Sequence, residues 1–243
     1  GNGQRDIVVF LQKLPVNWIT AELARRELAR RSYAEYLAFT NGRIWKRTRF
    51  GNYLADTVQD FIMRETGNAY DILVIESPPQ HGKSMHITEA LPSWCLGKFP
   101  EWRVILASYN DETAERFARR NKEKVRNHGN ALFGIEIGNI DRATEFELSG
   151  HMGRLISRGI LAGITGNPAN LLVIDDPIKN RQEADSPTKR QQIWNEWLNS
   201  LKSRLAAGAK VVVIMTPWHE DDLAARLLAT EENITLVRIP VEA

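Results

Sequence analysis

The chain has 243 residues, enough for one large domain with a buried core. Hydrophobic content of 43% and charged content of 26% are those of an ordinary globular protein, and a single cysteine excludes an internal disulfide. The net charge of +2 does not by itself announce nucleic acid, and no apolar run approaches the roughly 20 residues of a membrane span.

Charge is unevenly spread. Residues 1–50 hold ten Lys/Arg against four Asp/Glu. The stretch "ARRELARR" (24–31) is either a solvated helix face or a surface for phosphates or an acidic partner. Apolar spacing predicts one helix over 17–39, with Ile19, Leu23, Leu28, Tyr36 and Leu37 toward the core, broken by "TNGR" at 40–43. A second helix is predicted over 53–65. From there strands and helices alternate. "DILVIE" (71–76) is a strand, followed by a loop and a helix to about Leu96. "RVILAS" (103–108) is a second strand, and 111–127 is a helix with Asp111 placed to cap it. Residues 145–159 read as a hairpin with a glycine-containing turn. "NLLVIDD" (170–176) is a third buried strand. A long helix over 186–206 carries Ile193, Trp197, Leu201 and Leu205 on one face. "KVVVIMT" (210–216) is a fourth strand, 219–229 a helix and "NITLVRI" (233–239) a fifth strand. Fully apolar strands alternating with helices predict an α/β fold, a mainly parallel sheet with helices on both faces.

Three motifs carry chemistry. The first is "ESPPQHGKS", from Glu76 to Ser84. A strand ends at Glu76, the loop runs Ser77, Pro78, Pro79, Gln80, His81, Gly82, and a helix starts at Lys83. A phosphate-binding loop needs that order, because backbone N–H groups at a helix start cradle phosphates. Lys83 then reaches the β- and γ-phosphates of ATP and the Ser84 hydroxyl binds Mg²⁺. The usual pattern has glycine first, where Ser77 stands here. The second motif is "LLVIDDP" (171–177), four apolar residues leading to acids at a strand end. Asp175 is the candidate Mg²⁺ acid and Asp176 the residue that orients or deprotonates the attacking water, with Glu183 as the other acid for that work. An Asp-rich turn before Pro177 is the plainer account of the pair, and the joint occurrence of both motifs favours an ATPase. The third motif is "VVVIMTPWHEDDLAARL" (211–227), in which Thr216 ends a buried strand. Thr216 either senses the nucleotide or caps the strand, and Asp221 and Asp222 serve as charges at a helix start.

"SPPQHGKS", "VIDDPIKNRQEADS" and "IMTPWHEDDLAARL" together resemble the large terminase subunit of tailed bacteriophages, in its N-terminal ATPase. "ASYNDETAERFARRN" (107–121) is also similar to that family, and the resemblance covers most of 30–240. It implies an additional-strand P-loop ATPase core that drives double-stranded DNA into a preformed capsid, with Mg²⁺ and ATP as cofactors. It further implies a homo-oligomeric ring working with a portal protein and a small terminase subunit in the host cytoplasm. Carried over, Lys83 and Ser84 are the loop pair, Asp175 the Mg²⁺ acid and Thr216 the coupling threonine. The family tolerates loss of the first loop glycine. Two departures stand out: Asp176 replaces the usual glutamate, and Gln80 replaces a loop arginine. Arg158, with Arg154 as competitor, is the candidate finger that enters a neighbour's site, unless both are surface arginines. Residues 1–65 are expected as a helical segment helping to close the adenine pocket, where Tyr53 and Gln59 contribute, and 66–243 as the ATPase core with the start of a lid. The family's nuclease domain is expected to be absent from this chain. A helicase-like translocase is the first rival and lacks a second lobe here; a non-hydrolysing nucleotide switch is the second, and the Asp176 carboxylate argues against it.

Overall fold

The computed structural model describes residues 16–42, 45–79, 82–164, 166 and 168–239. The predicted helix over 17–39 is two helices, α1 (Val16–Arg31) and α2 (Tyr33–Asn41). Ser32 separates them. Its backbone is extended (φ −114°, ψ 127°) and its hydroxyl accepts the Glu35 N–H at 3.3 Å, which caps α2. The break resets the helical phase, so residues on its two sides do not share one face. Leu23 and Leu28 are accordingly 59% and 52% exposed rather than in the core, while Tyr33, Tyr36 and Leu37 are buried. The arginines of 24–31 pair along α1, Arg25 and Arg26 with Glu22 and Arg30 and Arg31 with Glu27, as a solvated face does. Helix α3 (Arg49–Met63) starts earlier than predicted, at the Thr48 cap. Among the described residues no helix is long and apolar enough to cross a membrane.

Eight strands form one sheet: β1 (Tyr70–Glu76), β2 (Arg103–Ser108), β3 (Ile137–Arg142), β4 (Glu145–Leu148), β5 (Arg154–Gly159), β6 (Ala169–Asp175), β7 (Leu205–Met215) and β8 (Ile234–Arg238). Their spatial order is β3-β4-β5-β2-β6-β7-β1-β8. From β5 to β8 every neighbouring pair is parallel, and β4 pairs antiparallel with both β3 and β5. The 145–159 hairpin is β4 and β5. Its partner β3 has no apolar run to announce it, since "IGNIDR" is half exposed along its length. Strand β7 lies between β1 and β6, inserted between the strand that precedes the phosphate loop and the strand that ends in acids. That insertion is the mark of the additional-strand P-loop fold, and the chain has it.

The sheet is covered on both faces. Leu73, Ile75, Val104, Leu106, Leu171, Val173, Val212 and Ile214 point into the layer formed with α2 and α3. Ile72, Val74, Ile105, Ala107, Leu172, Ile174, Val211 and Val213 point into the opposite layer. Alternation along each strand therefore buries both sets, each fully buried Leu, Ile or Val contributing about 1.5–3 kcal/mol. Two predicted helices are interrupted. The one to Leu96 is α4 (Lys83–His86), a turn, and α5 (Leu91–Lys98), because Pro92 has no N–H to give and fits only a first turn. α6 (Asp111–Lys124) runs through a π turn, Val125–Gly129, into α7 (Asn130–Phe133). Its cap is Asn110, whose side chain accepts the Thr113 N–H, not Asp111; Asp111 accepts the Gly159 N–H at 2.7 Å and so ties the helix to β5. α8 (Arg181–Ala184) and α9 (Pro187–Glu196) follow β6. The 186–206 helix ends at Arg204 through a π turn and a 3₁₀ turn. Ile193, Trp197 and Leu201 are buried on it, but Leu205 already belongs to β7. α10 (Leu223–Thr230) is capped by Asp222.

Candidate active site

The carboxyl ends of β1, β6 and β7 are level. Glu76 pairs with Met215, and Asp175 with Ile214, so the residues just beyond them emerge side by side. Open α/β sheets bind ligands at that edge. Ser77 begins the loop, buried, with its N–H donating to the Met215 carbonyl at 3.2 Å. Pro78 and Pro79 follow, while Gln80 and His81 lie outside the described residues. Gly82 then takes the left-handed conformation (φ 69°, ψ 13°) that turns the chain into α4 and favours a residue with no Cβ.

Lys83 is only 4% exposed. Its ammonium donates to Thr216 Oγ1 at 2.6 Å, to Asp176 Oδ1 at 3.0 Å and to the Ser77 carbonyl at 3.5 Å. Asp176 Oδ1 also accepts the Thr216 N–H at 2.8 Å. Asp176 sits at φ 39°, the one positive φ outside glycine among the described residues. Asp175 is 3% exposed. Its Oδ1 accepts the Ser84 hydroxyl at 3.1 Å, and its Oδ2 accepts the Thr88 hydroxyl. Burial first, and the Asp176 carboxylate second, push the Asp175 carboxyl up to about 7; hydrogen bonds from Thr88 and Ser84 and the Lys83 charge offset part of that. A carboxylate left this short of positive charge, beside a hydroxyl, offers the hard oxygen donors that suit Mg²⁺. The Ser84 hydroxyl and the Asp175 carboxylate together suit a cation that keeps other oxygen ligands, as Mg²⁺ does with waters and phosphates.

The fold thus brings together Lys83, Ser84, Asp175, Asp176 and Thr216 from three separate motifs. It leaves others apart. Glu183 accepts the Lys179 N–H at 3.3 Å within the local α8 cap. Arg158, on β5, lies two strands from β6 and donates to the Thr144 hydroxyl and to the Ser157 carbonyl. Arg154 pairs with Glu145 on the same strand face, where both arginines line a recess with Gly163 and Ile164. Tyr53 is exposed, and Gln59 is engaged by the Tyr33 N–H at 2.6 Å, joining α2 to α3. Two residues at the site had no signal of their own. Thr88 lies past the end of α4, four residues beyond Ser84, and its hydroxyl reaches the same Asp175 carboxylate. His86 Nδ1 donates its N–H to the Gly82 carbonyl at 2.8 Å, and the ring packs on Trp45 and Phe50, so the amino-terminal segment grips the loop helix.

A family model described as "Terminase large subunit, T4likevirus-type, N-terminal" matches residues 74–242. The large terminase of bacteriophage HK97 superposes with a TM-score of 0.56 at 11% identity, over 84% of this chain and 43% of that one. The large terminase of the thermophilic bacteriophage D6E, in complex with ATP-gamma-S, gives a TM-score of 0.47 at 14% identity, over 74% of this chain and 43% of that one. The chain therefore spans less than half the length of the solved structures it matches first. No curated protein sequence matches it.

Proposed function

The chain belongs to the large terminase subunit family, matched over its N-terminal part, and from that premise we propose that it is the ATP-hydrolysing motor domain of a DNA-packaging terminase. The observation that carries the reading is the meeting of Lys83, Ser84, Asp175, Asp176 and Thr216 at one sheet edge, each bonded to another of the five. Bound Mg²⁺–ATP supplies the phosphoryl group and the cation that draws charge from it. Lys83 presents its ammonium to the phosphates. Ser84 and Asp175 hold the cation, and Ser77, Pro78, Pro79, Gln80, His81 and Gly82 form the cradle. Asp176 accepts the proton of the attacking water. Thr216 couples that chemistry to the rest of the fold, because its hydroxyl meets Lys83 while its N–H meets Asp176. Arg158 serves the site of a neighbouring subunit in a homo-oligomeric ring. The work done is movement of double-stranded DNA into a procapsid, in the host cytoplasm, with a portal protein and a small terminase subunit as partners.

Steady-state ATP hydrolysis by the chain tests this. Lys83→Ala and Asp175→Ala should each abolish Mg²⁺-dependent turnover. Turnover at the normal rate in Lys83→Ala would remove the loop assignment, and with it the motor.

A further inference from the structure

We propose that Thr88 is a positioning residue for Asp175, held in place by a buried hydrogen-bond relay that runs from Thr88 through Asn121 and Ser93 to Tyr36. The inference rests on Asp175 being the Mg²⁺ acid. The two oxygens of Asp175 have different partners. Oδ1 takes the Ser84 hydroxyl, which turns to the cation when one binds, so that bond is exchangeable. Oδ2 takes the Thr88 hydroxyl, which has no such second duty. Thr88 is buried, and among the described residues its hydroxyl is the hydrogen-bond donor that meets Oδ2.

The relay fixes Thr88 from behind. The Thr88 carbonyl accepts from Asn121 Nδ2 at 2.8 Å. Asn121, wholly buried near the end of α6, donates its second amide hydrogen to the Phe117 carbonyl at 2.9 Å and accepts the Ser93 N–H at 3.0 Å. These three bonds define which end of the amide is which. The Ser93 hydroxyl gives its one hydrogen to the Ala90 carbonyl at 2.7 Å, so the Tyr36 hydroxyl, 2.8 Å away, is the donor to Ser93. Tyr36 belongs to α2. A continuous set of satisfied buried groups thus joins the metal acid to the loop after α4, to α6 and to the amino-terminal helices. A carboxylate that must aim one oxygen at a cation needs a permanent donor on the other, and outer-shell partners of this kind typically matter 10–100-fold to metal affinity.

The test is Mg²⁺ titration of the binding of a fluorescent, non-hydrolysable ATP analogue to the chain. Wild type is compared with Thr88→Val, Thr88→Ser and Asp175→Asn. Thr88→Val, nearly equal in shape, should raise the Mg²⁺ concentration for half-maximal binding about tenfold. Its affinity for the analogue in EDTA should stay at the wild-type value, and Thr88→Ser, which keeps the hydroxyl, should restore the Mg²⁺ response. A wild-type Mg²⁺ response in Thr88→Val overturns the inference, provided that Asp175→Asn has lost it. If Asp175→Asn also responds as wild type does, the Mg²⁺ assignment of Asp175 is what fails. Equal loss with and without Mg²⁺, unrescued by Thr88→Ser, marks Thr88 as packing only and overturns the positioning role. Thermal unfolding is followed in parallel, and Thr88→Ala carries the same comparison if Thr88→Val does not unfold cooperatively.

Discussion

Asp176 holds a left-handed backbone that side chains rarely adopt, at a cost of order 1–3 kcal/mol, and such strain gathers where function over-determines the geometry. Asn is one of the few residues that accepts this region. Asp176→Asn should therefore fold, bind the ATP analogue and lose the chemical step, about 10²–10⁴-fold, since an amide cannot take the water's proton. Single-turnover hydrolysis beside analogue binding measures both; an unchanged rate would hand the task to another acid. Asp221 offers a test by pH. A hydrogen bond from Arg226, then one from Arg190, holds its carboxyl down at about 2, below the unfolded value near 4. A lowered folded pKa contributes stability above the unfolded pKa, and that contribution fades as pH falls through the folded one. Asp221 is half exposed, so the effect is small. Asp221→Asn should unfold at a lower temperature than wild type at pH 7, with the gap closing between pH 4 and pH 2 in melting curves. The five converging residues were legible because each motif is short and local. The burial of Lys83 was not legible, because its partners Asp176 and Thr216 stand 93 and 133 residues along the chain, a proximity that only the finished sheet creates.

Elements show where local reading stops. Ser32 with Glu35 has the spacing of a helix start, yet apolar residues continue on both sides and suggest one long helix. The structure resolves the competition in favour of the cap. Ser32→Ala should remove the bond to the Glu35 N–H and destabilise the protein by about 1 kcal/mol, a loss of roughly 2–4 °C in melting temperature for a chain of this size. An unchanged midpoint would mean that tertiary packing alone sets the break. β3 escaped notice for the opposite reason. It is an edge strand of mixed polarity, and its pairing with β4 rather than its composition makes it a strand. The central strands were plain because burial on both faces demands unbroken Val, Ile and Leu. Helix ends were not, since Pro92 and the turns after Glu196 act through tertiary geometry as much as through propensity.

Alternation of strand and helix made the layered α/β arrangement readable, and the motif resemblance carried the insertion of β7 beside β1, while periodicity alone gave no strand order across the whole molecule. At this scale the candidate finger is testable. Arg158 sits two strands from β6 and bonds to Thr144 and Ser157, so the proposed finger role is one played at a second copy's site. Arg158→Ala and Lys83→Ala should each be inactive alone and should partly restore turnover when mixed under conditions that permit assembly, because one junction then joins a sound pocket to a sound arginine. If mixing restores nothing while wild-type subunits assemble, Arg158 is not shared and Arg154 takes its place in the experiment. The position of β1 in the sheet has a consequence for how the chain is made. Both neighbours of β1, β7 and β8, are supplied by residues 205–238, more than 125 residues after β1 leaves the ribosome. Until then Tyr70–Glu76, apolar on both faces, has neither edge paired. Late, distant pairing of that kind slows folding and leaves a sticky strand open to other chains. A chain cut after Arg204 should sediment with aggregates while one that runs through β8 stays in the supernatant, so the same insertion that brings Thr216 to Lys83 makes residues 205–238 the step on which the nascent protein's survival turns.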